Sequence, residues 1–226
     1  MSAKRKPAKP TKKSLITAYM TQSLEADRFP ASVFKFCREN SIEEADFYAL
    51  FGSMESLQKE IWIYFFEETK NLLEKDKAYA GYGNRERMLS FYFTFFELLG
   101  LNRSYVLFAL GQNPEPMQQL GQLKGLRRSI KTFARELIED ANAEKNIKIT
   151  KHNPEIFSEG AWLQLAFLLK FWIQDDSPGF EKTDVAIEKS VNTIFDIFDN
   201  TPLERVLDFG KFLFKERFAR TPKYGL

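Results

Sequence analysis

The chain holds one cysteine and one histidine among its 226 residues. A single thiol excludes an intrachain disulfide and fits a reducing compartment. The clustered His and Cys ligands of a zinc site cannot be assembled from this pair. His152 sits in the loop Lys151-His152-Asn153-Pro154 and reads as a surface residue, while Cys37 falls on the apolar face of a helix and reads as a buried thiol. Eleven Gly and nine Pro are too few for a fibrous or low-complexity chain. No phosphate-cradling glycine loop, dinucleotide fingerprint or nucleophile elbow is present. Paired acids such as Glu67-Glu68, Glu139-Asp140 and Asp175-Asp176 adjoin helix ends or polar faces, where solvation accounts for them. The expectation is a protein that is not an enzyme and needs no cofactor.

Long apolar runs are lacking too. The richest, Ala161 to Ile173, carries Gln164 and Lys170 and falls short of the roughly 20 residues that span a bilayer. Pro7, Pro10 and the lysines around them lead into the first helix without the apolar core of a secretory signal. A soluble, cytoplasmic protein without a transmembrane segment is expected.

Positive charge is scarce outside one place. The net charge of +2 includes Lys4, Arg5, Lys6, Lys9, Lys12 and Lys13, all within residues 1–13, where there is no acid. Beyond them the chain is mildly acidic. This basic segment reads either as a solvated flexible tail or as a phosphate-binding arm.

Aromatic residues, by contrast, are abundant: 23 Phe, 8 Tyr and 3 Trp. Their spacing, with that of the aliphatic residues, is helical almost throughout. The pattern predicts helices over Ser14 to Ala26, from Ser32 to the break at Asn40-Ser41, over Glu43 to Leu50, and from Met54 to about Lys77. It continues over Arg85 to Leu99, Arg103 to Leu110, Met117 to Ala143, Pro154 to Gln174, Thr183 to Phe198 and Leu203 to Phe218. Ser32 and Ser53 are placed to cap the helices they precede. No alternating strand of useful length and no internal repeat appears, so the fold class is all-α.

From Ile42 to Leu57 the residues resemble the TetR family of bacterial transcriptional regulators. The head of that family ends in a pattern close to A-G-V-S-x-G-x-L-Y-x-H-F-x-S-K-E-x-L. Ile42 stands for the Val and Phe47 for the Leu, with Tyr48, Phe51, Ser53, Glu55 and Leu57 in register. Ser32, Val33, Phe36 and Cys37 look like the start of the family's second helix. The chain departs from the pattern at Glu43, Ala45 and Met54, which replace the capping Ser, the small Gly and the phosphate-reaching Lys. Over Ser14 to Leu57 seven acids face three bases, a net of −4.

The resemblance implies a helix-turn-helix head at residues 14–57 and a ligand-binding, dimerising body at residues 58–200, here followed by an additional amphipathic helix in residues 201–226. It also implies candidate DNA contacts. Lys12, Lys13, Ser32 and Tyr48 would position the backbone, and Glu44, Asp46 and Phe47 would face bases. Tyr48 could instead brace the head by packing. For the body it implies a hydrophobic small molecule or lipid, with Phe91, Tyr92, Phe95, Phe108, Trp162, Phe167 and Phe171 as candidate lining. The alternative for these rings is a plain aromatic core. The stripe Ile187, Val191, Ile194, Phe195 and Phe198, with the helix at 154–174, is the candidate homodimer face.

Three functions are compatible with these features. The first is a DNA-binding regulator released by a ligand. The second is a protein of the same fold that does not bind DNA and holds a lipid or isoprenoid, and the third is an interaction scaffold.

Overall fold

The computed structural model describes residues 9–111, 121–143 and 153–200. His152, residues 117–120, the tail up to residue 8 and the helix expected at Leu203 to Phe218 lie outside these. Nine α-helices and no strand occur among the described residues. They are α1 (Lys12–Glu25), α2 (Val33–Glu39), α3 (Glu44–Tyr48), α4 (Met54–Lys75), α5 (Asn84–Leu101), α6 (Arg103–Gly111), α7 (Lys124–Ala143), α8 (Pro154–Gln174) and α9 (Glu181–Asn200).

Local chemistry sets the ends of these helices. Thr11 caps α1 by accepting from the Ser14 amide at 3.1 Å, so the helix starts at Lys12. Lys12 and Lys13 are therefore helical residues and not part of a flexible tail. Ser32 caps α2 through the Lys35 amide, and Ser53 caps α4 through the Ser56 amide. Between α2 and α3 the chain turns at Ser41, whose φ of 56° lies in the left-handed region that glycine adopts more easily.

α1, α2, α3 and the start of α4 enclose a small core. Phe36, Phe47, Leu15, Tyr19 and Leu57 are fully buried there, with Phe36 and Phe47 edge to face at 6.0 Å. Cys37 is buried as expected, and burial pushes its thiol pKa up.

α4 then runs on into the body, where it packs against α5 and α7. Gly125 of α7 permits the close approach to α4, since a Cβ there would lie 2.7 Å from Ile63 Cδ1. Phe91 of α5 is the hub. Its ring meets Phe133 at 4.8 Å, Phe66 at 5.4 Å, Phe95 at 5.7 Å and Tyr92 at 5.9 Å. The body is thus closed by rings contributed from α4, α5 and α7.

α8 is the most apolar helix, and by length and composition alone it could cross a membrane. Half of its apolar window is buried in the protein, however, where α7 and α9 flank it. Its C-terminus is held by Arg103 of α6. That guanidinium donates to the carbonyl oxygens of Trp172 (3.0 Å), Ile173 (3.3 Å) and Asp175 (3.1 Å), satisfying acceptors that the helix end leaves open. It also lies 4.4 Å from the ring centres of both Trp172 and Phe180, a cation between two π faces.

Asp175 ties the next corner. Its carboxylate accepts from the backbone N–H and hydroxyl of both Ser177 and Thr183, at 2.6–2.9 Å. Burial alone would raise its pKa, but these four donors outweigh burial and hold it well below the usual carboxylate range. A carboxylate depressed in the fold adds stability that is fully present above its unfolded value of about 3.9 and fades as pH falls toward the folded value. In urea titrations at several pH values, the stability gap between wild type and Asp175→Asn should be widest near neutral pH and close below about pH 4. A gap that stays constant down to strongly acid pH would remove this role.

Candidate nucleic-acid interface and head–body seam

The short α3 presents Glu44 and Tyr48 to solvent, with Asp46 half-buried between them and Glu43 exposed at its N-cap. Tyr48 is 52% exposed. Phe47, expected to face bases, points the other way. It is 0% exposed and packs edge-on to Phe36, because an apolar ring at this register belongs to the head core. Ser32 is exposed at the start of α2 with its hydroxyl oxygen committed to the cap.

Lys12 and Lys13 turn from the head toward α4. Lys12 Nζ donates to Glu60 at 2.6 Å, and Lys13 lies 3.7 Å from Glu68 and 5.9 Å from the Tyr64 ring centre. Contacts with Tyr64 and Glu68 raise the Lys13 pKa. These two lysines brace α1 on α4 and are not grouped with α3.

The structure adds residues that sequence reasoning did not single out. The outer side of α2 exposes Phe34 (56%), Lys35 and Arg38, with the Arg38 guanidinium 5.5 Å from the Phe34 ring centre. An apolar ring on the polar side of a two-turn helix was the available signal.

Head and body meet in an aromatic seam. Phe29, in the α1–α2 connection, stacks on Tyr19 at 6.0 Å and meets Phe108 of α6 edge-on at 5.0 Å. The Tyr19 hydroxyl accepts from Gln58 Nε2 at 2.5 Å. Phe108 thus belongs to this seam and does not line a cavity inside the body.

The other candidate lining residues also separate. Phe91, Tyr92 and Phe95 are 0% exposed in the ring-filled core, and the Tyr92 hydroxyl donates to the Ala161 carbonyl at 2.9 Å. Trp162 is buried, Phe171 is half-buried, and Phe167 is 56% exposed on the outside of α8. These residues pack against one another or face outward, and none lines the concavities described below. The expected dimer stripe is likewise covered from within. Ile187 and Val191 are 0% exposed and Phe195 8%, buried against α5 and α8. Periodicity reveals that such a stripe is covered without revealing by what.

The concavities formed by described residues include two considered below. One, of about 210 Å³, is a cleft between α4 and α7 beside Lys70, Arg128 and Glu136. The larger, about 400 Å³, lies between α1 and the α5–α6 corner. Among the described residues no group of three or more His, Cys, Asp or Glu could hold a metal.

The family profile of the tetracyclin repressor-like C-terminal domain matches residues 87–213, more than half of the chain. The chain belongs to the TetR family. Its fold is similar to that of a protein described as a TetR-family transcriptional regulator from Syntrophomonas wolfei str. Goettingen. The TM-score is 0.59 at 16% identity, over 81% of this chain and 93% of that one. No curated protein matches the sequence.

The profile begins within α5 of this TetR-family chain and runs past the expected body boundary at residue 200 to residue 213, whereas the likeness to the solved structure spans most of the chain. The Phe29 seam is the aromatic contact that joins α1 to α6. Phe29→Ala should cost about 2 kcal/mol of stability, less than a fully buried ring because Phe29 is half-exposed. It should also lower amide-exchange protection in α1 and α6 before the rest of the body. Unchanged protection in both helices would show that the seam carries no coupling.

Proposed function

We propose that this protein is a homodimeric transcriptional regulator. Residues 14–57 bind operator DNA, and residues 58–200 dimerise and respond to a hydrophobic small molecule. The observation that carries this reading is the outer surface of α2 and α3. Phe34 and Tyr48 remain more than half exposed above a head whose own core is fully closed. Exposed rings beside Lys35 and Arg38 favour an interface over a bare solvent face.

Phosphate contacts supply most of the affinity for DNA, and the head is short of positive charge. Lys35 and Arg38 are the groups placed to make them, with the Tyr48 hydroxyl as a further donor. Glu44 and Asp46 then face the groove, where a carboxylate can accept from cytosine N4. The regulatory step is a population shift. A ligand that favours one head orientation over another alters the match to half-sites one helical turn apart.

The dimer face proposed here is the outer stripe of α8. Leu163 (66% exposed) and Phe167 (56%) follow Gly160 at helical spacing, and Phe171 adjoins Phe167 at 6.3 Å. Its i, i+3, i+4 repeat and its exposure suit an isologous contact. The Phe167→Glu variant should sediment as a monomer at micromolar concentration, where the wild type is a dimer. A wild type that is itself monomeric there would end this part of the reading.

A second reading is favoured by Glu43, Glu44 and Asp46: a protein of this fold that does not bind DNA and holds a lipid or isoprenoid. Titration with salt over random and upstream genomic DNA separates the two. The regulator should still bind at about 50 mM salt, with a palindromic preference and a clear dependence on salt. Lys35→Ala or Arg38→Ala should weaken binding to all sequences alike and reduce the salt slope by about one each. Absence of binding at that salt leaves the second reading, which a co-purifying lipid in native mass spectra would support.

A further inference from the structure

We infer that the small-molecule site of this protein lies between head and body, in the groove of about 400 Å³ between α1 and the α5–α6 corner. Its ligand is an uncharged, mainly apolar small molecule. The candidate rings of the body line neither of the two concavities described above. Phe91, Tyr92, Phe95 and Trp172 are fully buried among one another and their neighbours, so a ligand there would have to displace packed rings. The groove is open and lies within the size range of small-molecule sites.

Its walls define the ligand class. Thr17, Met20 and Leu24 come from α1, Leu98 and Leu101 from α5, and Ser104 from α6. Leu24 is 39% exposed and Leu101 84%, apolar surface that an occupant would remove from water. Arg103, a lining residue, and Lys13, beside another, are already committed. Arg103 gives its guanidinium to three carbonyls and two rings at the end of α8. Lys13, beside the lining residue Tyr64, is paired with Glu68. A carboxylate ligand would find no uncommitted cation among these, and an ammonium ligand no acid among the lining residues. The hydroxyls of Thr17, Thr21 and Ser104 suit a single alcohol, ketone or amide group on an apolar frame.

The location also gives the site leverage. The opposite face of α1 carries Leu15 and Tyr19 of the head core, and Ile16 is shared between core and groove. An occupant wedged against Thr17, Met20 and Leu24 therefore pushes on the helix that sets the head against α6. This consequence rests on the regulator reading above; occupancy of the groove does not.

Nile red, a neutral apolar dye, tests the site on the full-length protein. The wild type should bind it with blue-shifted emission. Thr17→Trp and Ser104→Trp, which fill the groove from opposite walls at exposed positions, should each weaken binding about tenfold while helix content is unchanged. Val185→Glu, at an exposed position of α9, should bind as the wild type does. 1-Decanol should displace the dye and sodium decanoate should not.

No dye binding by the wild type, undiminished binding by both tryptophan variants, or loss of binding in Val185→Glu overturns the site. Equal displacement by decanoate overturns the neutral class. If the dye results hold and no DNA is bound at low salt, the groove stands and the regulator reading falls. If DNA is bound and the dye is indifferent to both tryptophans, the reverse holds.

Discussion

Phe91 touches four other rings, and the helices that supply them, α4, α5 and α7, converge on it. Aromatic rings pack well only in offset or edge-to-face arrangements, so each contact restricts the angle between two helices as well as their distance. The same ring network continues from Phe95 and Phe96 to Trp172 and Phe180, where it meets the guanidinium of Arg103. Arg103 begins α6, so the end of α8 and the start of α6 are positioned by one side chain. Whatever α6 does at the head is therefore referred to the body core through a short, stiff path.

The opposite end of that path is the Phe29–Phe108 contact. Here the rings are fewer, and Phe29 and Phe108 are half-buried. The polar ties of α1 to α4 include the hydrogen bond from Gln58 to Tyr19 and the pairs Lys12–Glu60 and Lys13–Glu68. A stiff body joined to a small head through a lighter seam is the arrangement in which a modest binding energy can shift orientation without unfolding either part. The described concavity of about 400 Å³ lies between α1 of the head and the α5–α6 corner of the body.

The head combines a well-made core with an adverse surface charge. Phe36, Phe47, Phe51 and Tyr19 build it as firmly as any DNA-reading head needs, yet α3 carries acids outward. Lys12 and Lys13, at the start of α1, are paired with Glu60 and Glu68. Exposed pairs of this kind contribute little stability, but they do fix where the charge sits. On the outer side of α2, Lys35 and Arg38 are exposed basic residues of the head.

The all-α fold, the helix order, the caps at Ser32 and Ser53 and the burial of Cys37 were legible in the residues, because helical periodicity and capping depend on neighbours a few positions apart. So was the frame of the head, since Phe36, Phe47, Phe51 and Leu57 recur where a closed core must have them. What the residues did not disclose was the partner of each apolar stripe. Ile187, Val191 and Phe195 are covered by α5 and α8 and are not available to a second copy, while Leu163 and Phe167 are left uncovered by the described helices. A hydrophobic pattern records that a face leaves water and is silent on what replaces the water, and for the same reason it could not separate packed rings from rings around a cavity. Those assignments depend on contacts between residues far apart in the chain, and the tertiary structure alone decided them.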